Sequence, residues 1–289
     1  MASLRQIRSR LRSIQNTKQI MRAMQLVSGS KLKRAQGRLL QARTVLEFLD
    51  ELLQRVMAAA PNLNHPLCAK SEEAANALVL FTSDAGLCGS YNTNLIQLAE
   101  SSLRQETFKR TQVIYIGKKG HRYFTKRGYA ASGAYLDLAG RPNLSKAEEI
   151  GRSLMDRFLS GEIGSVQILY SRFVSATVYR PTLLQWLPIQ LRPQGARRTA
   201  QGEGLEYIFE PSPQRVFEDL LPRWALATFQ RVMLEAFTSE HSARMIAMKN
   251  ATENAEEILK TLTRQRNRIR QASITKELSE IVGTAEALK

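Results

Sequence analysis

The first sixty residues carry an apolar series with alternating spacings of three and four, and this series limits the fold more than any other feature of the chain. Such spacing places one apolar stripe along an α-helix and is the repeat of a coiled coil. The stripe positions are Leu4, Ile7, Leu11, Ile14, Lys18, Met21, Gln25, Ser28, Leu32, Ala35, Leu39, Ala42, Leu46, Leu49, Leu53, Val56 and Ala60. No proline occurs before Pro61. The sequence therefore predicts one continuous helix, on the order of 85 Å long at about 1.5 Å per residue.

The same segment also has the composition of a mitochondrial transit peptide. Residues 1–46 contain no Asp or Glu, and the first part is rich in Arg and Ser. A cleaved presequence has no reason to share a helical register with the residues that follow it, whereas this segment does. The shared register favours a structural helix.

A second long helix is predicted at the other end of the sequence. No proline follows Pro222, and Gly283 is the only later glycine, so residues 223–289 would form a helix on the order of 100 Å long. Alanines recur every four residues from Ala243 to Ala255 and leave a groove that another helix can approach closely. The predicted seam runs through Ala251, Ala255, Ile258, Leu262, Gln265, Ile269 and Ala272.

A different apolar stripe follows that seam. After Ala272 the register slips. The new stripe contains Ile274, Leu278, Ile281, Ala285 and Leu288. If the two helices pair antiparallel, the longer one leaves on the order of 15 Å unpaired. The exposed stripe then needs to be covered by another molecule.

Between the helices, short apolar segments alternate with amphipathic ones. The expected strands are residues 77–83, 112–117 and 165–171, with a further edge strand within 177–189. Residues 91–108 and 145–160 are expected to be helical, and 192–204 to be a loop. This alternation predicts an inserted α/β domain, Rossmann-like, with a mostly parallel sheet.

The predicted fold is thus a long antiparallel coiled coil of the N- and C-terminal helices with an inserted α/β domain. The first shaft helix would occupy residues 1–60, the globular domain 61–222, and the second shaft helix with its tip 223–289. Together they would form a compact head on a two-helix shaft with a single-helix tip.

Composition restricts the partners. A formal charge of +16 and a pI near 10.2 indicate an acidic or anionic partner. Nucleic acid fits poorly, because basic zipper proteins pair two parallel chains and few aromatic residues interleave with the charges here. No apolar run reaches the roughly 18 residues expected of a transmembrane helix. Acidic protein loops fit the charge better.

Enzymatic interpretations depend on single turns. The segment DAGLCGSYN at 84–92 follows a predicted strand, where Cys88 could be a nucleophile on a tight turn. No histidine is predicted nearby and the GxSxG-type spacing is missing, so a buried thiol in a glycine turn is favoured. The segment GKKGHRYF at 117–124 lacks the spacing of a phosphate loop and is expected to be a solvated turn. His65 and Cys68 would need two further ligands to hold a metal. We expect no cofactor and no metal.

Four motifs carry a resemblance to a known family. They are IRSRLRSIQNTKQIMRAMQLVSGSKLKRAQ at 7–36, SDAGLCGSYNTNLI at 83–96, SEHSARMIAMKNATENA at 239–255 and RNRIRQASITKELSEIVGTAEAL at 266–288. In this order they closely resemble the gamma subunit of F-type ATP synthases, the central rotor shaft. The family usually has Arg before GLCG, where this chain has Ala85.

The resemblance implies a non-catalytic subunit that couples ion flow to ATP synthesis or hydrolysis. Its implied partners are three alpha and three beta subunits, the epsilon subunit and the membrane ring, without nucleic acid and without a direct membrane span. The implied location is peripheral, on the cytoplasmic face of the bacterial inner membrane. A basic coiled-coil adaptor or tether without an ATPase partner is the alternative.

The resemblance also implies roles for individual residues. The segment from Met24 to Arg34, with Lys31, and Arg244 would face loops of the beta subunits. Arg270, Gln271, Thr275 and Glu277 would form a polar contact with one beta subunit, here called the catch. Ile281, Val282, Ala285 and Leu288 would turn in an apolar sleeve, and Glu210 would lie near the membrane ring. Without the resemblance, Arg244 would be a solvated helix charge, and Gln271 and Thr275 ordinary helix surface.

Overall fold

The computed structural model describes residues 4–60, 63–69, 74–104, 111–138, 143–190 and 209–287, with only the backbone for 285–287. The chain divides into two compact units. One contains Met1–Gly29 and Arg244–Lys289, and the other contains Ser30–Ala243. Two long helices, α1 (Leu4–Ala59) and α5 (Pro213–Ala287), each contribute residues to both units. The loop expected at 192–204 lies outside the described residues.

Helix α1 spans Leu4–Ala59 and confirms the long N-terminal helix. Every position of the predicted stripe, including its polar members Lys18, Gln25 and Ser28, is buried or half-buried. An alternating three-four spacing keeps these side chains on one face over the whole helix. The same face therefore packs against neighbouring structure from end to end.

Helix α5 spans Pro213–Ala287 and begins ten residues before the predicted start at residue 223. Ser212 caps its first turn, since the Ser212 hydroxyl accepts a hydrogen bond from the backbone N–H of Arg215 at 3.3 Å. Pro213 suits the first helical position because its missing N–H is not needed there. Pro222 lies inside the helix rather than before it. Packing of the surrounding apolar residues offsets the hydrogen bond that Pro222 cannot donate.

The seam of α5 differs from the predicted one. Ile258 is 47% exposed, and Gln265 and Ala272 are also exposed. Leu259 and Arg266 are half-buried in the places expected for Ile258 and Gln265. The observed seam is Met245, Met248, Thr252, Ala255, Leu259, Leu262, Arg266 and Ile269. The prediction was wrong there because it placed two seam positions one residue too early. The half-buried Arg266 is compatible with a seam because its aliphatic stem can pack while its charged end stays in water.

A five-stranded sheet forms the centre of the second unit. Its strands are β1 (Ala75–Phe81), β2 (Thr111–Ile116), β3 (Ala131–Tyr135), β4 (Ile163–Phe173) and β5 (Tyr179–Leu187). Their order is β3-β2-β1-β4-β5. Strands β1, β2, β3 and β4 run parallel to one another, and β5 pairs antiparallel with β4. This confirms the mostly parallel sheet and the edge position expected of the strand containing Pro181.

Three helices connect these strands: α2 (Tyr91–Leu103), α3 (Lys118–Thr125) and α4 (Leu144–Leu159). A short 3₁₀ helix spans Pro66–Cys68. Helix α3 replaces the solvated turn expected at 117–124, and β3 was not predicted. Both are short, and β3 is largely exposed, so neither leaves a clear apolar period in the sequence.

The sheet is covered on both faces. The larger apolar cluster joins one face to α4 and to residues 217–237 of α5. The smaller cluster joins the other face to α2 and α3 through Tyr91, Leu95, Tyr115 and Phe124. Near-complete burial on both faces explains why the central strands are continuous apolar runs.

Candidate functional site

Residues 270–284 are the last part of α5 for which side chains are described. They form the most exposed helical stretch of the first unit. Every side chain in this stretch is exposed, and we call it the tip. Among its apolar side chains, Ile274 is 49% exposed, Leu278 57%, Ile281 64% and Val282 60%. Such a run of apolar surface is typical of a surface that another molecule covers. The unpaired stripe predicted from the sequence is confirmed for these residues.

Polar side chains of the tip are tied only to their own helix. The Thr275 hydroxyl donates to the Gln271 carbonyl at 3.0 Å, and the Ser273 hydroxyl donates to Glu277 at 3.2 Å. Both are exposed bonds four residues apart. Such bonds shape the helix surface but contribute little to stability. Gln271, Thr275 and Glu277 therefore present polar groups on one accessible helix, together with Arg270.

The segment of α1 from Met24 to Arg34 combines packed and exposed positions. Met24 and Lys31 are half-buried, and Arg34 is exposed, with its guanidinium 3.5 Å from the Ser30 hydroxyl. Within the first unit, a Cβ added at Gly29 would lie 3.5 Å from the Met245 sulfur. The two helices thus approach closely at this level.

Arg244 is only 8% exposed. It is therefore not the solvated helix charge that its position alone suggested. Burial of a guanidinium is costly unless its donors are bonded or paired. The fold therefore has to accommodate Arg244 in a defined position.

The structure describes three further predicted site residues to different extents. Glu210 is exposed, shortly before α5 begins. The backbone of Ala285 is helical, whereas its side chain is not described. Leu288 lies outside the described residues.

Basic side chains dominate the exposed surface of α1. Arg5, Arg8, Arg12, Lys33 and Arg38 are all exposed. One ion pair joins the two helices of the first unit, with Lys18 Nζ 2.7 Å from Glu256 Oε1. The hydrogen bond from Lys18, and then its charge, lower the pKa of Glu256. The remaining positive surface is suited to an acidic protein partner.

The turn at 84–92 holds its cysteine away from solvent. Cys88 is 2% exposed, and its sulfur accepts a hydrogen bond from the Asn92 amide at 3.1 Å. The Ser83 hydroxyl donates to the Ala85 carbonyl at 2.6 Å. Buried and bonded in this way, the Cys88 sulfur is part of the turn rather than a nucleophile.

The crevice at the carboxyl ends of β1 and β4 is where open α/β sheets usually bind ligands. Here α5 lies against it. The Ser239 hydroxyl donates to the Ser171 carbonyl at 2.9 Å, and the Tyr91 hydroxyl donates to the Ala236 carbonyl at 3.1 Å. The Ser242 hydroxyl donates to the carbonyl of Ala176. The chain's own helix thus occupies the place of a ligand.

His65 also has a structural task. Its Nδ1 accepts a hydrogen bond from the backbone N–H of Leu67 at 3.0 Å and so caps the 3₁₀ helix. Burial lowers the pKa of His65, against the opposing charge of Glu218. The Nδ1 nitrogen of His65 is thus used by the fold.

Sequence comparison identifies the family. The family model described as ATP synthase matches residues 3–288. The ATP synthase gamma chain of Desulforamulus reducens is 40% identical over 289 residues that cover both chains completely. The gamma chain of Symbiobacterium thermophilum is 41% identical, over 98% of this chain and 97% of its own. The chain belongs to the ATP synthase gamma-chain family.

As a gamma subunit of an F-type ATP synthase, the chain is the central rotor stalk and a non-catalytic member of the complex. The adaptor without an ATPase partner is not favoured. The complex to which a gamma subunit belongs is membrane-associated. In the described part of the chain, no helix has the length and apolar character needed to cross a bilayer.

Solved structures share the fold. A chain of the Euglena gracilis mitochondrial ATP synthase, in a structure of OSCP, F1 and c-ring, has a TM-score of 0.68 at 19% identity, covering 99% of this chain and 94% of that one. A chain of the rotor of the same synthase has a TM-score of 0.66 at 18% identity, over 94% of this chain and 98% of that one. These likenesses concern architecture, and they agree with the five-stranded sheet and the long helices described above.

One group of residues in the second unit was missed by the sequence interpretation. Glu235 is 1% exposed and contacts Arg43 and Arg231. The i,i+4 spacing of Arg231 and Glu235 is visible in the sequence, but such pairs usually lie on a solvated face. The neighbouring apolar residues on both sides of Glu235 were the signal that this carboxylate is buried.

Proposed function

We propose that this chain rotates inside a ring of three alpha and three beta subunits and couples ion flow through the membrane ring to ATP synthesis or hydrolysis. The observation that carries the proposal is the tip, an exposed helix with an apolar stripe, in a chain of the gamma family. An asymmetric rod cannot contact three identical sites equally, so each site is biased to a different conformation. Rotation of the rod then exchanges these biases.

The foot of the rotor is proposed to bind the epsilon subunit and the membrane ring, with Glu210 near that ring. This would place the chain on the cytoplasmic face of a bacterial inner membrane, as a peripheral protein. The bacterial source of the similar gamma chains supports this location. The functional division into shaft helix 1–60, globular domain 61–222, and second shaft helix with tip 223–289 belongs to the same proposal.

The shaft is proposed to meet acidic loops of the beta subunits through the segment Met24 to Arg34, including Lys31. Exposure of Arg34 supports this. Arg244 would contact the loops through the small part of its surface that stays exposed. Partly solvated charge contacts are individually weak, so they can set rest positions without preventing rotation.

The tip is proposed to carry two functions. Arg270, Gln271, Thr275 and Glu277 form the catch with one beta subunit. An apolar sleeve of the ring would cover a second set, Ile281, Val282, Ala285 and Leu288. The full exposure of residues 270–284 supports both, because these groups are available to a partner.

The double substitution Gln271→Leu with Thr275→Val tests the catch. The double variant removes two side-chain hydrogen bonds to the beta subunit. The contact between the catch and that subunit should become weaker by about 1–3 kcal/mol, which lowers ATP synthesis, while the fold stays intact. ATP synthesis in membranes is the measurement, with helicity of the isolated chain as the check on folding. The matched control is Thr261→Val with Gln265→Leu, since these residues are exposed on the same helix with the same spacing. Unchanged synthesis in the first double variant would remove the catch.

A further inference from the structure

We propose that Arg43, Glu235 and Arg231 form a partly buried ionic cluster whose task is to fix the rotational and axial register of α1 on α5 beside β4. The mechanical consequence rests on the proposed rotor function, because a stalk transmits torque only if its two helices do not slide on each other. All three residues lie in the unit Ser30–Ala243. The cluster is thus a positioning device in the part of the chain that contains the sheet.

The geometry joins three elements at one guanidinium nitrogen of Arg43. Arg43 Nη2, on α1, lies 3.1 Å from Glu235 Oε1, on α5, and 3.1 Å from the Phe173 carbonyl at the end of β4. Arg231 Nη1, one turn earlier on α5, lies 3.1 Å from the same Glu235 oxygen. A planar guanidinium has its donors in fixed directions. Because one nitrogen makes both contacts, Arg43 reaches both partners only within a narrow range of rotation and height of α1.

Burial makes this arrangement strongly dependent on position. The Glu235 side chain is 1% exposed, and those of Arg43 and Arg231 are 37% and 20% exposed. Electrostatic and hydrogen-bond interactions weaken much less by screening in such a site than on the surface. A small slide of α1 would leave the Glu235 carboxylate with less compensation for its lost hydration.

The cluster is not built for maximal stability. Among the described residues, Glu235 Oε2 and the buried Arg231 Nε have no partner in full hydrogen-bonding geometry. The Tyr170 hydroxyl lies near this carboxylate: burial chiefly, and then the Glu235 charge, raise the pKa of Tyr170 to about 12. Well-packed apolar residues often replace a buried ionic group without loss of stability. Glu235 lies between the buried apolar residues Leu234 and Ala236 of α5. A charged cluster at this carboxylate carries a desolvation cost, which points to orientation as its role.

The test replaces the cluster by apolar residues in the full chain, with Arg43→Met, Arg231→Met and Glu235→Leu together. We expect the melting temperature to stay equal or rise. Amide exchange in residues 40–47 of α1 and in residues 171–174, at the C-terminal end of β4, should become about tenfold faster, because the register is no longer fixed. Exchange elsewhere in the chain should not change.

The matched control is Glu51→Leu with Arg55→Met, which removes an exposed i,i+4 pair on the same helix. It should leave exchange in residues 40–47 and 171–174 unchanged. If the triple variant does not fold, Arg43→Met alone serves instead, because it removes the nitrogen that makes both contacts. Parent-like exchange in these segments, in the triple variant or in Arg43→Met, would overturn the proposal. So would a uniform rise in exchange together with a lower melting temperature, which would make the cluster a simple stabilising contact.

A second measurement addresses the mechanical consequence. In the assembled complex with the ring immobilised and without nucleotide, the angular variance of a probe on the globular domain should increase about twofold in the triple variant, as expected when packed helices can shear. An unchanged variance would overturn the torsional role. If the parent chain neither assembles with a ring nor rotates, the proposed function fails, whereas the exchange measurement on the free chain still decides whether the cluster fixes the register.

Discussion

Two segments of α5 reverse the usual relation between polarity and burial. In residues 232–243 every side chain is buried, although Glu235, Thr238, Ser239, Glu240, His241 and Ser242 are polar or charged. In residues 270–284 every side chain is exposed, although the stretch contains a stripe of isoleucine, leucine and valine. Both segments belong to one uninterrupted helix.

The difference teaches that burial follows the supply of partner atoms rather than side-chain polarity. Thr238 and Ser239 donate to the carbonyls of Leu234 and Ser171, so their hydroxyls are satisfied without water. The apolar side chains of the tip are not covered by any described residue. The first segment is packed within the chain, whereas the proposed sleeve would cover the second in a complex.

The largest expected effect separates the two segments by truncating an apolar side chain in each. Phe237→Ala should lower the free energy of unfolding by about 3–5 kcal/mol, because Phe237 is 3% exposed and its removal leaves a cavity. Leu278→Ala should change it by no more than about 0.5 kcal/mol, as for other surface positions. Denaturant unfolding of the free chain measures both. Similar losses in the two variants would mean that the tip is packed in the free chain.

The next effect concerns the tip in the assembled complex. Ile281→Ser should leave the free chain unchanged and weaken its binding to the ring by about 1.5–3 kcal/mol, the contribution of burying one large apolar side chain. Lys276→Ser, at another exposed position of the tip, is the control. Binding is measured by titrating the chain into the ring. Equal affinity of the parent and Ile281→Ser would exclude an apolar sleeve at this position.

A smaller effect tests the hydrogen bonds of the buried segment. Ser239→Ala should cost about 1–2 kcal/mol of unfolding free energy, because it removes a donor from the buried Ser171 carbonyl. Ser273→Ala removes an exposed bond to Glu277 and should change it by less than about 0.5 kcal/mol. Thermal unfolding of the two variants gives the comparison. A neutral Ser239→Ala would show that the buried segment does not depend on this hydroxyl.

The smallest effect is a pH dependence of the exposed Lys18–Glu256 pair. Lys18 lowers the pKa of Glu256 below its ordinary value of 4.5. The stability from this pair is therefore present above pH 4.5 and is lost as the pH falls through the lowered pKa. Lys18→Met should flatten the decrease of melting temperature in this acidic range. If the melting temperature changed with pH in the same way in parent and variant, the Lys18–Glu256 pair would not contribute to the stability of the first unit.

Much of this fold could be predicted from the sequence. The three-four spacing of α1 identified a stripe from Leu4 to Ala60 in which every position is buried or half-buried, since a regular helix presents such a spacing on one face. The central strands were equally clear because they are apolar on both faces. The exposed stripe at Ile274, Leu278 and Ile281 followed from the same periodicity.

Other features have no local signal. The seam of α5 passes through Arg266 instead of Gln265, and Pro222 stays inside the helix, because tertiary packing outweighs propensity at both places. Glu235 gives no sign in the sequence that Arg43, 192 positions earlier, reaches it. Contacts between distant parts of a chain depend on the fold as a whole, so the ionic cluster could not be predicted. The apolar stripe of the tip could be predicted because it follows from local periodicity.

The most direct measurement of whether the tip is completed by a partner is the labelling rate of a thiol placed in it. Ile281→Cys is introduced with Cys68→Ser, which leaves Cys88, a buried residue, as the other thiol. Labelling at position 281 is then compared between the free chain and the complex with the alpha and beta subunits. Coverage by the ring predicts a rate at least about tenfold slower in the complex. Equal rates in the free and assembled chain would contradict the account.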